Sequence, residues 1–128
     1  MLGPMRALLL VDHGSRRAEA NAVLEVVRRK LEEALGPEVL VGHAHMELAQ
    51  PSIAEAVTEL RARGATELFV QPWFLAPGRH AEEDVPRLVR AALGEDLPFR
   101  HLPFKIGTPM GADDALVQLA LGRFASSI

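Results

Sequence analysis

The chain has 128 residues, a formal net charge of −3 and no cysteine. A chain of that length reads as one domain, residues 1–128, able to bury about two-thirds of its unfolded surface without covalent staples. The charge excludes an electrostatic footprint for nucleic acid, the scattered basic residues argue against a membrane surface, and the missing thiols exclude disulfides, thiolate zinc sites, an iron–sulfur cluster and a cysteine nucleophile.

The elements alternate between strand and helix. Ala7 to Val11 is a continuous apolar run, the pattern of a strand covered on both faces. Met1 to Arg6 leads straight into it without a signal-peptide layout, and the run is too short to span a bilayer. The expectation is therefore a cytoplasmic protein. Gly14 permits a tight turn, and Ser15 is the expected cap of the first helix. Ala20, Val23, Leu24, Val27, Leu31 and Leu35 recur at helical spacing, with Arg28, Arg29, Glu32 and Glu33 on the outer side. Gly36-Pro37 stops that helix.

Val39-Leu40-Val41 starts a second strand. Ser52 and Glu55 have capping-box spacing ahead of a helix whose buried stripe is Ile53, Val57 and Leu60, closed by Gly64. Leu68-Phe69-Val70 starts the third strand, which Pro72 ends. A third helix lies within Ala81 to Leu93, with Pro86 tolerated only in its first turn. A fourth strand is expected near Phe99 to Ile106, at an edge because of Pro103, and Asp113 to Phe124 reads as the last helix. Right-handed crossovers turn this order into an α/β fold: a small four-stranded parallel sheet with helices on both faces.

Such a sheet binds ligands in the crevice beyond the carboxyl ends of its strands. Two histidines fall there. His13 follows the first strand and His80 closes the loop Phe74-Leu75-Ala76-Pro77-Gly78-Arg79 after the third. Imidazole binds metals and exchanges protons near neutral pH. A lone histidine beside a helix start is as often structural, and a helix N-terminus keeps such a ring neutral. Trp73 and Phe74 serve either as core or as an apolar wall against a flat ligand. His43, His45 and Glu47 share one face if the second strand persists, and lie in a solvated loop if it does not. Glu82, Glu83 and Asp84 read as a solvated first helical turn.

Three stretches resemble the small sirohydrochlorin chelatases of the CbiX/SirB type, in the class II chelatase superfamily. They are His13-Gly14-Ser15-Arg16, then Met46-Glu47-Leu48-Ala49-Gln50-Pro51-Ser52-Ile53, and Pro72-Trp73-Phe74-Leu75-Ala76-Pro77-Gly78-Arg79-His80 with Asp84-Val85-Pro86 following. The resemblance implies a chelatase-like single lobe that inserts a divalent metal into a tetrapyrrole. Co2+ is the first choice of metal, with Fe2+ or Ni2+ as alternatives, and no cofactor is needed beyond that substrate ion. It implies that His13 is metal ligand and proton acceptor and that His80 is the second ligand. Glu47 is the acidic residue facing the substrate, and Phe74, Leu75, Ala76, Pro77, Gly78 and Arg79 line it. The chain departs from the family pattern at Asp12, where many relatives carry glycine, and at Pro77 in Ala76-Pro77-Gly78.

Those residue types suit the reaction. Metal insertion strips water from an ion and removes two pyrrole protons, and imidazole is a ligand of intermediate softness for Co2+, Ni2+ and Fe2+. One ring nitrogen cannot hold metal and proton together, so the two roles of His13 are sequential or are shared with His80. Arg16, Arg17 and Arg79 are candidate clamps for the carboxylates of the substrate class. A flat macrocycle needs two walls and one lobe offers one, so a symmetric homodimer is expected. The part played by His43, His45 and His101 stays open at this point.

Three other readings compete. A histidine phosphatase needs arginine before the first histidine, where this chain has Asp12. A serine hydrolase built on Ser15, His80 and Asp84 lacks the Gly-x-Ser-x-Gly elbow. A non-catalytic metal or tetrapyrrole carrier uses the same histidines and is separated from an enzyme only by a rate.

Overall fold

The computed structural model describes residues 3–94 and 102–127. One sheet contains β1 (Arg6–Asp12), β2 (Val39–His45), β3 (Glu67–Pro72) and β4 (Phe104–Ile106). The helices are α1 (Ala18–Leu35), α2 (Ile53–Ala62), α3 (Val85–Leu93) and α4 (Asp114–Ala125). All strand pairings are parallel and the order is β2-β1-β3-β4. This is the α/β architecture expected from the alternation of strand and helix patterns.

The apolar run of β1 is explained by burial on both faces. Ala7, Leu9 and Val11 join a core with Val57 and Leu60 of α2 and Val85, Val89 and Leu93 of α3. By alternation Leu8 and Leu10 face the other layer, that of α1. Ser52 and Glu55 close the expected capping box on α2: Glu55 N donates to Ser52 Oγ at 3.1 Å and Ser52 N to Glu55 Oε1 at 3.0 Å.

Several boundaries differ from the sequence expectation. β2 persists to His45, because its last residues still pair with β1 (Leu10 with His43, Asp12 with His45). β4 is an edge strand of three residues starting after Pro103. Phe99, Arg100 and His101 lie outside the described residues.

Ser15 does not cap α1. Its hydroxyl accepts from Arg17 N at 3.1 Å, and the helix begins at Ala18. The expected stripe of α1 is rotated as well. Leu24 is fully buried, whereas Val23 is 57% exposed and Leu35 42%. Arg28 and Glu32, expected on the outer side, are partly buried and pair at 2.6 Å. The helix leans over the edge strand β2, so its Arg28 side, not its Val23 side, meets the sheet.

Partial burial has a titration consequence. His43, on the α1 face of β2, has its pKa lowered by desolvation, then by the Arg28 guanidinium and by His45, against smaller opposing effects of Glu25 and Asp12. The folded state therefore takes up this proton less readily than the unfolded chain. The stability contributed is present above about pH 6.5, the ordinary histidine value, and is lost as pH falls through the depressed folded value. His43→Gln is expected to flatten the slope of the urea midpoint between about pH 7 and pH 5. An unchanged slope in that range contradicts this account.

Candidate active site

The strand order places three loops side by side. From β1 the chain moves outward to β2, then returns across β1 to β3. The β1–β3 boundary is thus the switch point at which such sheets open a crevice. His13 leaves β1, Glu47 follows β2, and His80 follows the loop after β3. Adjacent parallel strands end together (Val11 pairs with Pro72, Asp12 with His45), so residues far apart in sequence converge.

The His13 and His80 ring centroids lie 4.5 Å apart, edge to face. His13 Nε2 is 3.2 Å from Glu47 Oε1. His80 Nδ1 is 2.9 Å from Asp84 Oδ2, and Arg87 reaches the other Asp84 oxygen at 3.5 Å. A carboxylate only accepts, so the neutral His80 ring carries its proton on Nδ1 and a lone pair on Nε2. By the same logic neutral His13 has its proton on Nε2 and its lone pair on Nδ1.

A metal–nitrogen bond of about 2.1 Å puts an imidazole centroid about 3 Å from the ion, so two rings sharing one ion sit roughly 4.5 to 5 Å apart. The observed 4.5 Å lies at the short end of that range and is also the separation of an edge-to-face ring contact. Among the described residues no group of three or more histidine, aspartate or glutamate side chains is already arranged to hold a metal. Glu47 instead spends an oxygen on the His13 ring.

The backbone sets this geometry. Met46 N donates to Asp12 O at 2.9 Å and Glu47 N to His13 O at 3.3 Å, which laces the β2 exit to the β1 exit. Gly14, at φ +92°, lies directly beneath: a Cβ built on it falls 1.9 Å from the Glu47 carbonyl oxygen. Only glycine lets the two loops approach this closely. Leu48 adopts φ +69°, an uncommon left-handed conformation for a branched residue, immediately after Glu47. Such strain at the end of a three-residue clamp is typical of a segment shaped by a site.

His45 is the buried polar residue of the lobe, 1% exposed, with Nδ1 bonded to Asp12 Oδ1 at 2.5 Å. It braces the peptide from which His13 projects. The reading in which His43, His45 and Glu47 act as one cluster is therefore not what forms. His43 and His45 do share a strand face, with centroids 5.8 Å apart, but Glu47 lies beyond the strand and turns to His13.

The loop after β3 divides into an anchor and a rim. Trp73 and Phe74 are half-buried, and Phe74 packs on the core. Leu75 is 70% exposed, and Ala76, Pro77, Gly78 and Arg79 are exposed too. Met110 N bonds to Phe74 O and Gly111 N to Leu75 O, fastening this loop to the segment before α4. Arg79 is solvent-facing and reaches Glu83 only at 3.9 Å. Arg16 and Arg17 are exposed.

Two readings of local sequence need correction. His13 is not beside a helix N-terminus: α1 starts five residues later, and a helix end acts only over about its first turn. The group at the His13 ring is the Glu47 carboxylate. Asp84 is not part of a solvated turn either. Its side chain is 20% exposed and holds both His80 and Arg87. The reason is a π-turn over His80–Asp84, in which Val85 N bonds to His80 O. Pro86 has no N–H to continue the regular ladder, and the i, i+4 spacing brings the Asp84 carboxylate within 2.9 Å of the His80 ring. A His-x-x-x-Asp spacing just before a Pro-initiated helix is the signal for this pair. Asp12 and His45 had no comparable signal, since their contact depends on strand register.

Comparison with known proteins gives the family. A family model described as CbiX matches residues 7–127. The chain is 38% identical over 122 residues to a chloroplastic sirohydrochlorin ferrochelatase of Arabidopsis thaliana, covering 95% of this chain and 52% of that protein. It is 31% identical over 143 residues to a sirohydrochlorin cobaltochelatase of Methanococcus maripaludis, covering 93% and 97%. Among solved structures, the sirohydrochlorin chelatase SirB from Bacillus subtilis subspecies spizizenii in complex with cobalt superimposes with a TM-score of 0.80 at 25% identity, over 95% of this chain and 50% of that one. A cobalamin biosynthesis CbiX protein from Marinobacter aquaeolei VT8 gives a TM-score of 0.73 at 27% identity, over 95% of both chains. The chain thus spans about half the length of the Arabidopsis and Bacillus relatives and nearly all of the other two. With the family model covering almost every described residue, the chain belongs to the CbiX family.

Proposed function

We propose that this chain is a sirohydrochlorin chelatase, working in the cytoplasm as one chelatase-like lobe over residues 1–128 and as a homodimer. The observation that carries the reading is the His13–His80 pair, 4.5 Å apart between centroids, with Glu47 at 3.2 Å from the His13 ring. Relatives on both sides of the comparison, one a ferrochelatase and one a cobaltochelatase, support the reaction class.

His13 and His80 hold the incoming Co2+, the first choice of metal, through imidazole nitrogens; Fe2+ and Ni2+ fit the same ligands. Two neutral ligands leave the ion its full charge and open positions for pyrrole nitrogens. As the macrocycle takes the ion, His13 is released from it and becomes free to accept one of the two pyrrole protons, the other passing to solvent water. Glu47, already on the other nitrogen of that ring, stabilises the imidazolium that forms. Phe74, Leu75, Ala76, Pro77, Gly78 and Arg79 line one face of the tetrapyrrole, with Arg79 near its carboxylates. No helix among the described residues is long and apolar enough to cross a membrane.

Mixing the protein with Co2+ and sirohydrochlorin and following the absorption spectrum tests the reading. Insertion faster than the protein-free rate is expected. Tight binding of metal or ring with no acceleration makes the protein a carrier instead. Initial rates with Co2+, Fe2+ and Ni2+ then rank the metals.

Asp84 fixes the tautomer and orientation of His80, as carboxylates behind metal-binding histidines do. Asp84→Ala is expected to lower Co2+ affinity or kcat/KM by about 10- to 100-fold. Equal affinity and rate in that variant contradict the arrangement of His80 described above.

A further inference from the structure

The loop between β1 and α1 holds an arginine that the lobe itself does not use. The Arg16 guanidinium meets no carboxylate among the described residues, whereas the other arginines at this end of the sheet each reach one. Arg17 lies 3.9 Å from Glu19, Arg79 3.9 Å from Glu83 and Arg87 3.5 Å from Asp84. Arg16 is exposed, and an exposed arginine is by itself ordinary. What sets this one apart is how its backbone is held.

Asn21 of α1 grips the preceding residue at two points. Ser15 N donates to Asn21 Oδ1 at 2.9 Å, and Asn21 Nδ2 donates to Ser15 O at 2.7 Å. On the other side Arg17 N donates to Ser15 Oγ at 3.1 Å. Arg17 O accepts from Ala20 N at 3.1 Å and Asn21 N at 3.2 Å, which starts the helix. Arg16 therefore sits between two fixed peptides, in the turn that Gly14 packs against the Glu47 carbonyl. Binding a ligand through Arg16 orders only its side chain, because the backbone is ordered already.

Electrostatics gives that side chain a role. The chain has a net charge of −3, and exposed Glu47, Glu82 and Glu83 stand around the crevice. A ring that carries several carboxylates is repelled by such a rim unless cations meet it. Arg79 immediately precedes His80. Arg16 follows His13 by three residues, which keeps its Cα within about 11 Å of the His13 Cα. The two arginines thus stand on the two strand exits that carry the two imidazoles. A guanidinium matches a carboxylate with two parallel N–H bonds.

We propose that Arg16 binds a peripheral carboxylate of the tetrapyrrole and selects for acid-bearing rings, and that Asn21 is the positioning residue that holds it for this contact. The inference rests on the tetrapyrrole reading above. Ring binding without metal tests it apart from the chelation rate.

Metal-free sirohydrochlorin is titrated into the protein and binding is read from quenching of Trp73, the single tryptophan. Arg16→Gln is expected to weaken ring binding by roughly 10-fold, the low end for a charge-assisted hydrogen bond. Arg16→Lys recovers part of that loss. Co2+ affinity without the ring stays at the wild-type value in both, and in the chelation assay KM for the ring rises while kcat changes little. Raising salt from about 50 to about 500 mM weakens ring binding more steeply in wild-type protein than in Arg16→Gln. Asn21→Ala weakens ring binding as well, and adds little when combined with Arg16→Gln, because both changes act on one contact. Equal ring affinity in Arg16→Gln and wild-type protein overturns the proposal, as does an equal loss of Co2+ affinity. Additive losses in the double variant remove Asn21 from it. Wild-type protein that binds no sirohydrochlorin overturns the tetrapyrrole reading itself, a result distinct from ring binding that ignores Arg16.

Discussion

His13→Ala and His80→Ala each reduce the rate of cobalt insertion into sirohydrochlorin by roughly 10²- to 10⁴-fold, the range expected when a ligand or proton acceptor leaves the reacting centre. The larger loss is expected for His13, which serves in both capacities. Titration with Co2+ alone separates them. Both variants bind the ion more weakly, because each removes one of two nitrogens that share it. Glu47→Gln behaves differently: it keeps both imidazoles, and so keeps most of the metal affinity, but slows insertion because nothing stabilises the proton on His13. Folding is not at risk in these three, since His13, His80 and Glu47 side chains are all about half exposed. Wild-type rates in His13→Ala or His80→Ala remove that residue from the mechanism.

Gly14→Ala is expected to be the most damaging substitution outside those ligands. The new methyl falls 1.9 Å from the Glu47 carbonyl oxygen and 3.2 Å from His45 Cβ, on a backbone at φ +92°. Neither neighbour is a flexible side-chain end, so the loop carrying Glu47 must move. Combined strain and displacement are expected to cost about 3–5 kcal/mol in urea unfolding, in the diagnostic tail for single substitutions. Chelation falls too, because Glu47 leaves the His13 ring. Gly64→Ala is the control. It has a positive φ as well, +104°, but its Cβ meets nothing within 4 Å, and the cost is expected to be about 1–2 kcal/mol, from strain alone. Equal losses at the two glycines argue against the Glu47 approach as the cause.

Both results depend on the same local design. One tight turn after β1 allows the β2 exit to lie across it, and the main-chain bonds from Met46 and Glu47 hold it there. Behind them the His45–Asp12 bond braces the end of β1 from the α1 side. The proposed ligand His13 is thus carried on a strand exit whose position is set by backbone contacts, while the exposed side chains from Ala76 to Arg79 can meet different ring substituents. The fold supplies a firm floor and an adaptable wall.

Much of this was legible in the residues. The apolar run Ala7–Val11, the Ser52–Glu55 box and the helix-stopping glycines are local signals. Each depends on covalent geometry, side-chain capping or period, which act within a few residues. The alternation of these elements sufficed for the parallel α/β sheet, and the positions of His13, Glu47 and His80 after successive strands sufficed to expect that they converge. What the tertiary structure alone decided was which groups meet. The His45–Asp12 bond follows from the register of β2 on β1. The partner of the His13 ring proved to be a carboxylate from the next strand and not the helix that follows. The exposed flank of α1 follows from where that helix leans on the sheet. Residue patterns record which side chains seek burial, but register and helix lean are settled by the packing of all elements together, and no local window contains that balance.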